Sequence, residues 1–239
     1  MKLLQNSSTP LYQQIEEDIR ASIENGALKY GDKIDAEPEI MEKYKVSRIT
    51  VRKAISNLVE EGYLIKKQGK GTFVNKPKIQ RKIEHFMSFS EACSANGMKA
   101  TSKVIKKEVI SPSHEEKEFL QLDDDDKVLY IQRIRYADGD PIMYENNYFS
   151  YSRFQYLMDE SMNGSLYNLL RDKSNVTASG AQRSSLEVMR ASNDIAKILN
   201  VPVGEPVFYM RTYMCDSENK PLHIGKQYIL GKRYIFDIQ

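Results

Sequence analysis

Apolar side chains recur at Leu11, Ile15, Ile19 and Ile23, and Gly26 follows the last of them. One stripe at that spacing predicts an amphipathic helix over residues 11–25, closed by a left-handed glycine. A connector over 28–35, with the turn Tyr30-Gly31-Asp32, leads to two more helical patterns. The first opens near Glu37, carries Pro38 in its initial turn, where a missing N–H is harmless, and turns Ile40, Met41 and Tyr44 inward. The second covers 47–61: Ser47 caps it, Val51, Ile55, Leu58 and Val59 face inward, and Gly62 ends it. Tyr44-Lys45-Val46 makes the tight connection between the two. From 63 to 74 the pattern is that of a β-hairpin with Gly69 and Gly71 at its tip.

Residues 75–82 are polar and basic without a period, and read as a linker short enough to couple two domains mechanically. Beyond it, period-two alternation begins at 102–110, followed by a helix opening with the capping box Ser113-His114-Glu115-Glu116. The clearest strand is 127–137, with Val128, Tyr130, Gln132, Ile134 and Tyr136 on one face and Leu129, Ile131, Arg133 and Arg135 on the other. Asp138-Gly139-Asp140 turns the chain into a strand over 141–149. A three-residue loop sets Arg133 across from Glu145 and a two-residue loop sets it across from Tyr144; pairing the charges favours three. Ser165 caps a short helix bearing Leu166, Leu169 and Leu170. A long strand (178–189), a capped helix (192–199) and a terminal hairpin (207–215 and 221–230) complete an antiparallel α+β pattern.

At 239 residues the chain has room for two modest domains, expected at 1–75 and 83–239 with the linker at 76–82. The opening Met1-Lys2-Leu3-Leu4-Gln5-Asn6-Ser7 has no long apolar core or small-residue cleavage site, and no window reaches the ~18 apolar residues of a membrane span. A cytoplasmic protein is expected, with Cys93 and Cys215 as reduced thiols.

Charge adds a sharper clue. From Lys43 to Lys82 there are twelve Lys or Arg against Glu60 and Glu61, a local balance of +10, whereas from Ile83 onward the balance is −3. A basic block on a near-neutral body is the footprint of phosphate-backbone binding. Helix, turn, helix and two-stranded wing outline a winged helix-turn-helix, whose second helix enters a DNA major groove. Arg48, Thr50, Arg52, Lys53 and Ser56 fall on its exposed positions. Arg48 and Arg52, four apart, share a face at the N-terminal end and suit bidentate contact with guanine. Gly69 and Lys70 offer a mobile basic wing tip. The tip lacks the spacing of a nucleotide phosphate loop.

In the second half, Arg133 and Arg135 lie two apart on an otherwise apolar strand face, where unpaired charge is expensive. Either Glu145 and another carboxylate neutralise them, or a ligand phosphate or carboxylate does. On the residues alone both readings stand, and the free N–H groups of a helix starting at Ser165 tilt toward the ligand. Asp123–Asp126 lacks the spacing of a calcium loop, and His85, His114 and His223 have no second ligand at zinc spacing. No catalytic residue, metal site or cofactor is expected.

Pro10-Leu11-Tyr12-Gln13-Gln14-Ile15, Val46-Ser47-Arg48-Ile49-Thr50-Val51-Arg52-Lys53-Ala54, Leu58-Val59-Glu60-Glu61-Gly62-Tyr63 and Gln68-Gly69-Lys70-Gly71-Thr72-Phe73-Val74 resemble the DNA-binding domain of GntR-family transcription regulators. The resemblance implies that Glu37, Ser47, Arg48, Thr50, Arg52 and Gly69 lie at a DNA interface. Where that family usually reads Leu-Pro-Ser-Glu-Arg, this chain has Ile34-Asp35-Ala36-Glu37-Pro38, without the capping Ser and one DNA-contacting Arg. More of the contact should then rest on Arg48, Arg52 and the wing. Residues 127–135, Gly139-Asp140-Pro141 with Glu145, Ser165-Leu166-Tyr167, Gly204-Glu205-Pro206, and Tyr228 with Arg233-Tyr234-Ile235-Phe236 resemble, more loosely, the UTRA effector-binding domain of HutC-type GntR regulators.

That resemblance implies an α+β fold: an N-terminal winged helix-turn-helix and a chorismate-lyase-like C-terminal domain on an antiparallel sheet. It also implies a homodimeric repressor with operator DNA and a small phosphorylated sugar or related anion as partners. Ser90, Arg133, Arg135, Ser165 and Tyr167 would hold the phosphate, Glu145 and Tyr228 the sugar, and Phe89 would lie against it. His223 stands where the family often has Glu. Likeness to chorismate lyase keeps an enzyme in view, against which the missing acid–base constellation argues. A constitutive DNA-binding protein whose second half only dimerises is the third reading.

Overall fold

A computed structural model describes residues 7–82 and 87–237. The first six residues, the stretch 83–86 with His85 and the expected start of the second domain, and the last two residues lie outside it. The chain divides into two compact units, Met1–Lys78 and Ile79–Gln239.

In the first unit, α1 (Leu11–Glu24), α2 (Glu37–Tyr44) and α3 (Arg48–Glu60) enclose a core of Ile15, Ile19, Ile40, Val51, Ala54, Ile55 and Leu58, closed by Leu64 and Val74 of the wing. Val59, expected inside, is only partly buried, and Ala54 takes the inner position. The stripe on α1 is broader than its apolar residues indicate. Gln14 and Glu16 are buried too, and Glu16 accepts a 2.7 Å hydrogen bond from Asn57 of α3. The α2–α3 turn closes through Lys45 in a left-handed conformation (φ 56°), and Ser47 caps α3 by accepting from the Thr50 N–H. At the start of α2 the missing Ser is partly replaced: the Glu39 carboxylate accepts the Ala36 N–H at 2.6 Å. The wing comprises β1 (Leu64–Lys67) and β2 (Gly71–Val74). The 28–35 connector is more than a link. It lies along β2, with Ile34 N–H donating to the Thr72 carbonyl and Val74 N–H to that of Asp32.

The second unit begins with β3 (Ile79–Lys82), which pairs in parallel with β10 (Tyr234–Asp237) near the end of the chain. This corrects the reading of 76–82 as a structureless linker. Four residues are too few to show a period, and the partner strand is remote in sequence. Ile79 is fully buried. Then come α4 (Phe89–Ala95), β4 (Ala100–Ile110), α5 (His114–Leu120), β5 (Val128–Ala137), β6 (Asp140–Ser150), α6 (Tyr151–Phe154) with a 3-10 turn to Met158, α7 (Leu166–Ser174), β7 (Ala178–Arg190), α8 (Asn193–Leu199), β8 (Pro206–Asp216) and β9 (Pro221–Leu230). Six strands form one antiparallel sheet in the order β4-β5-β6-β9-β8-β7. α4, α6, α7 and the β3–β10 pair pack on one face, α5 and α8 on the other.

Arg133 does face Glu145, by a different route from the one expected. The β5–β6 turn has two residues, Asp138 and Gly139, both with positive φ as a tight hairpin turn requires. A bulge then shifts the register between Arg135 and Tyr136 and supplies the extra residue.

Candidate functional site

In the first unit the groups expected at DNA lie together around the N-terminus of α3. Ser47 and Thr50 are hydrogen-bonded through their hydroxyls at 2.9 Å. Arg48 and Arg52 project into solvent with side chains 67% and 66% exposed, and one carboxylate tethers both: Glu37 on α2 lies 3.4 Å from Arg48 Nε and 3.5 Å from Arg52 Nε. Exposed pairs of this kind are worth only ~0–1 kcal/mol, so Glu37 can orient the two guanidinium groups and still release them to a stronger anion. Lys53 is placed differently. Its ammonium lies 4.1 Å from the centre of the Tyr12 ring, which braces α3 against α1. Between the arginines, Ile49 is 81% exposed, an apolar side chain with no packing role in this unit. At the wing tip Gly69 has φ +69°, and Gly71 (φ +117°) passes so close to Lys33 that an added Cβ would lie 2.6 Å from its side chain. Lys70 is exposed between them.

In the second unit the inner sheet face carries a buried polar cluster. Arg133 is fully buried, ion-paired to Glu145, and donates to the carbonyls of Met162 at 3.2 Å and Gly164 at 3.4 Å. Arg135 lies 3.5 Å from the same carboxylate, donates to Ser90 Oγ at 2.9 Å and stacks 4.8 Å from the centre of the Phe89 ring. Burial pulls the Arg133 pKa down to about 10 against the pull of Glu145. Burial would raise the Glu145 pKa, but Arg133 and Arg135 together hold it below the usual carboxylate value. His223 Nε2 and the Tyr167 hydroxyl are hydrogen-bonded at 3.0 Å. Burial, helped by Arg133, depresses the imidazole pKa to about 4, so the ring is neutral at pH 7.

Beside this cluster lies a cavity of about 30 Å³. Arg81, Phe89, Arg133, Arg135, Glu145 and Tyr167 line it, and Asn147, Thr212 and Gln227 complete its polar wall.

Two family models divide the chain between them. Residues 11–74 match "Bacterial regulatory proteins, gntR family" and residues 95–235 match "UTRA domain". The chain is 30% identical over 236 residues to the HTH-type transcriptional repressor NagR of Bacillus subtilis, an alignment spanning 99% of this chain and 97% of that one.

The chain belongs to the GntR family.

It is 29% identical to a probable fructoselysine utilization operon transcriptional repressor of Escherichia coli, over 95% of this chain and 93% of that one. Among solved structures, PhnF from Mycobacterium smegmatis superposes with a TM-score of 0.72 at 21% identity, over 96% and 98% of the two chains. This GntR protein is therefore a ligand-responsive DNA-binding transcription regulator of two domains, and its relatives are regulators rather than enzymes.

The expected effector residues separate into three groups in this GntR fold. Phe89, Arg133, Arg135, Glu145 and Tyr167 line the cavity, and Ser90 stands behind them as the acceptor of the Arg135 hydrogen bond. Ser165 is the N-cap of α7, accepting from the Asn168 N–H at 3.4 Å, and immediately precedes the cavity-lining Leu166 and Tyr167 without lining the cavity itself. Tyr228 lies on the opposite face of the sheet. It pairs in register with Tyr144 and packs between Tyr144 and Tyr209, because alternation turns Gln227, the cross-strand partner of Glu145, inward instead. Arg81, Asn147 and Gln227 were missed. Asn147 was reachable by counting two from Glu145, whereas Arg81 lay in the stretch read as linker.

Proposed function

We propose that the protein is a homodimeric repressor whose hold on an operator is set by a small organic anion of the sugar-phosphate type in the Arg133–Arg135 cavity. The observation that carries this reading is the sharing of one carboxylate by two buried arginines. Glu145 neutralises one positive charge, and an anionic ligand would satisfy what remains. Arg48 and Arg52 read base edges, Ser47, Thr50, Lys53 and Lys70 support the backbone contact, and Gly69 allows the wing close approach. Ile49 is placed to meet an apolar thymine methyl.

Ligand entry has a mechanical consequence. Pockets for small ligands run to roughly 300–1,000 Å³, far above the present cavity, so a wall must yield. Arg135 ties down α4 through Ser90 and Phe89, and an anion that takes over the guanidinium competes with both contacts. Release of α4 is the step by which ligand occupancy alters the second domain. The dimer reading is supported by β7, an edge strand of thirteen residues along which Leu186, Val188 and Met189 are 39%, 74% and 40% exposed. An edge this long invites pairing with a second copy. A DNA-binding role places the protein with the chromosome, in the cytoplasm.

The test is a gel shift on the protein's own upstream region, with and without hexose 6-phosphates and amino-sugar 6-phosphates. Specific binding relieved or strengthened by one of them supports the reading, and no specific binding to any palindrome in that region would sink it. Arg135→Gln separates this from a constitutive DNA-binding protein: DNA binding should persist while the response to ligand disappears.

A further inference from the structure

The charged residues lining the cavity do not balance. Among the described lining residues, Arg81, Arg133 and Arg135 face a single carboxylate, Glu145, which leaves a formal charge of +2. His223 adds nothing at neutral pH. Arg133 and Arg135 both lie within ion-pair distance of Glu145, but Arg81 has no carboxylate within 4.0 Å among the described residues. Arg81 is also held in place. Its strand, β3, is paired along its length with β10, and both backbone groups of Gln80 are clamped by the Asn96 side chain, at 3.1 Å to the N–H and 2.9 Å to the carbonyl. Arg81 is thus a guanidinium presented from a fixed strand into a partly enclosed cavity, with no carboxylate among the described residues to meet it.

Retaining an uncompensated charge at such a place is unfavourable unless a ligand meets it. A carboxylate or a phosphodiester carries one negative charge and would leave half of the imbalance, whereas a phosphomonoester carries close to two at neutral pH. We propose that Arg81 is a third anion-binding arginine, that it makes the cavity selective for dianions of the phosphomonoester class, and that it conveys occupancy to β3. This rests on the reading of the cavity as the effector site. β3 is the first element of the second unit, and Ile79 directly follows the last residue of the first, so the ligand grips the strand that continues the chain from the DNA-binding unit.

The experiment is calorimetric titration of the full chain at pH 7.5 with methyl phosphate, dimethyl phosphate and acetate, repeated for Arg81→Gln, Arg81→Lys and Arg135→Gln. A hydrogen bond to a charged partner corresponds to roughly tenfold or more in affinity. The wild type should therefore prefer methyl phosphate to both monoanions by about tenfold or more. In Arg81→Gln that preference should fall to within about threefold, and Arg81→Lys, which keeps the charge but loses the fork, should fall between them. Arg135→Gln should weaken all three probes. If Arg81→Gln binds methyl phosphate as tightly as the wild type, the role of Arg81 is overturned while the anion site stands. If the wild type binds none of the probes and Arg135→Gln changes nothing, the effector reading and this proposal fall together. Should Arg81→Gln lose its cooperative melt, the decision passes to Arg81→Lys: wild-type affinity and selectivity there would refute contact through the guanidinium fork.

Discussion

Replacing Glu145 with Gln should destabilise the second unit far more than an ordinary polar substitution. The three side chains concerned are almost entirely inaccessible: 0% exposed for Arg133 and 5% for both Glu145 and Arg135. Removing one partner from a buried pair costs about 3–5 kcal/mol, because the charge left behind remains desolvated. Gln keeps the shape and still accepts hydrogen bonds, which places Glu145→Gln near the lower end, about 3 kcal/mol. At ~2–4 °C per kcal/mol for a domain of this size, the melting transition of the second unit should drop by about 6–12 °C. Scanning calorimetry is the assay, since it resolves the two units where a single optical midpoint would merge them. Phosphate at tens of millimolar should return part of the loss by binding the arginines left unpaired in the native state. A drop of less than about 2 °C, unchanged by phosphate, would mean that water already solvates the arginines and that the cluster is not a desolvated charge trap.

Arg48→Ala should reduce specific operator affinity by about 1–3 kcal/mol per half-site while leaving non-specific binding near its original level, as read by gel shifts with specific and scrambled DNA. Stability should fall on acidification from pH 6.5 toward 4. Unfolded His223 takes up a proton near pH ~6.5, but the buried ring, beside Arg133 and Tyr167, does so only near pH 4. The unfolded state binds the extra proton in that window, which lowers stability by up to ~3 kcal/mol; His223→Gln should flatten this part of the denaturation profile. Lower still, Glu145 adds to the loss, because its folded pKa is depressed and its stabilisation fades as pH falls through that value. Lys107→Met should remove about 2 kcal/mol and loosen the approach to Ser165, since the ammonium satisfies the carbonyls of Leu157, Met158 and Glu160 at 2.6–3.0 Å; hydrogen exchange of residues 157–165 is the readout.

Local chemistry explains which parts of this structure were legible in advance. Period-four spacing in α1, the Ser47 cap and the alternation of β5 are short-range signals, and each element appears within a residue or two of its expected position. The facing of Arg133 and Glu145 was reached by preferring opposite charges, although a bulge rather than a longer loop produces it. What stayed hidden depends on distant partners. β3 carries no period and exists because β10 pairs with it, so Arg81 could not be placed in the cavity from its own neighbourhood. Tyr228 lies off the cavity for a related reason: the register β9 shares with β6 and β8 turns Gln227 inward in its place.

The pairing of β3 with β10 also sets an order in time. The first unit contains all the partners it needs by Lys78 and can close while the rest is being made. β3 emerges next, but the strand that holds it includes Tyr234 and Phe236, which follow only about 150 residues later. At roughly 5–20 residues per second, β3 waits on the order of ten seconds for its partner. During that interval a nascent chain can present a finished DNA-binding head attached to an unanchored strand, one that no ligand can yet govern. Truncation ahead of Tyr234 would make that interval permanent, leaving DNA binding intact and beyond the reach of the effector.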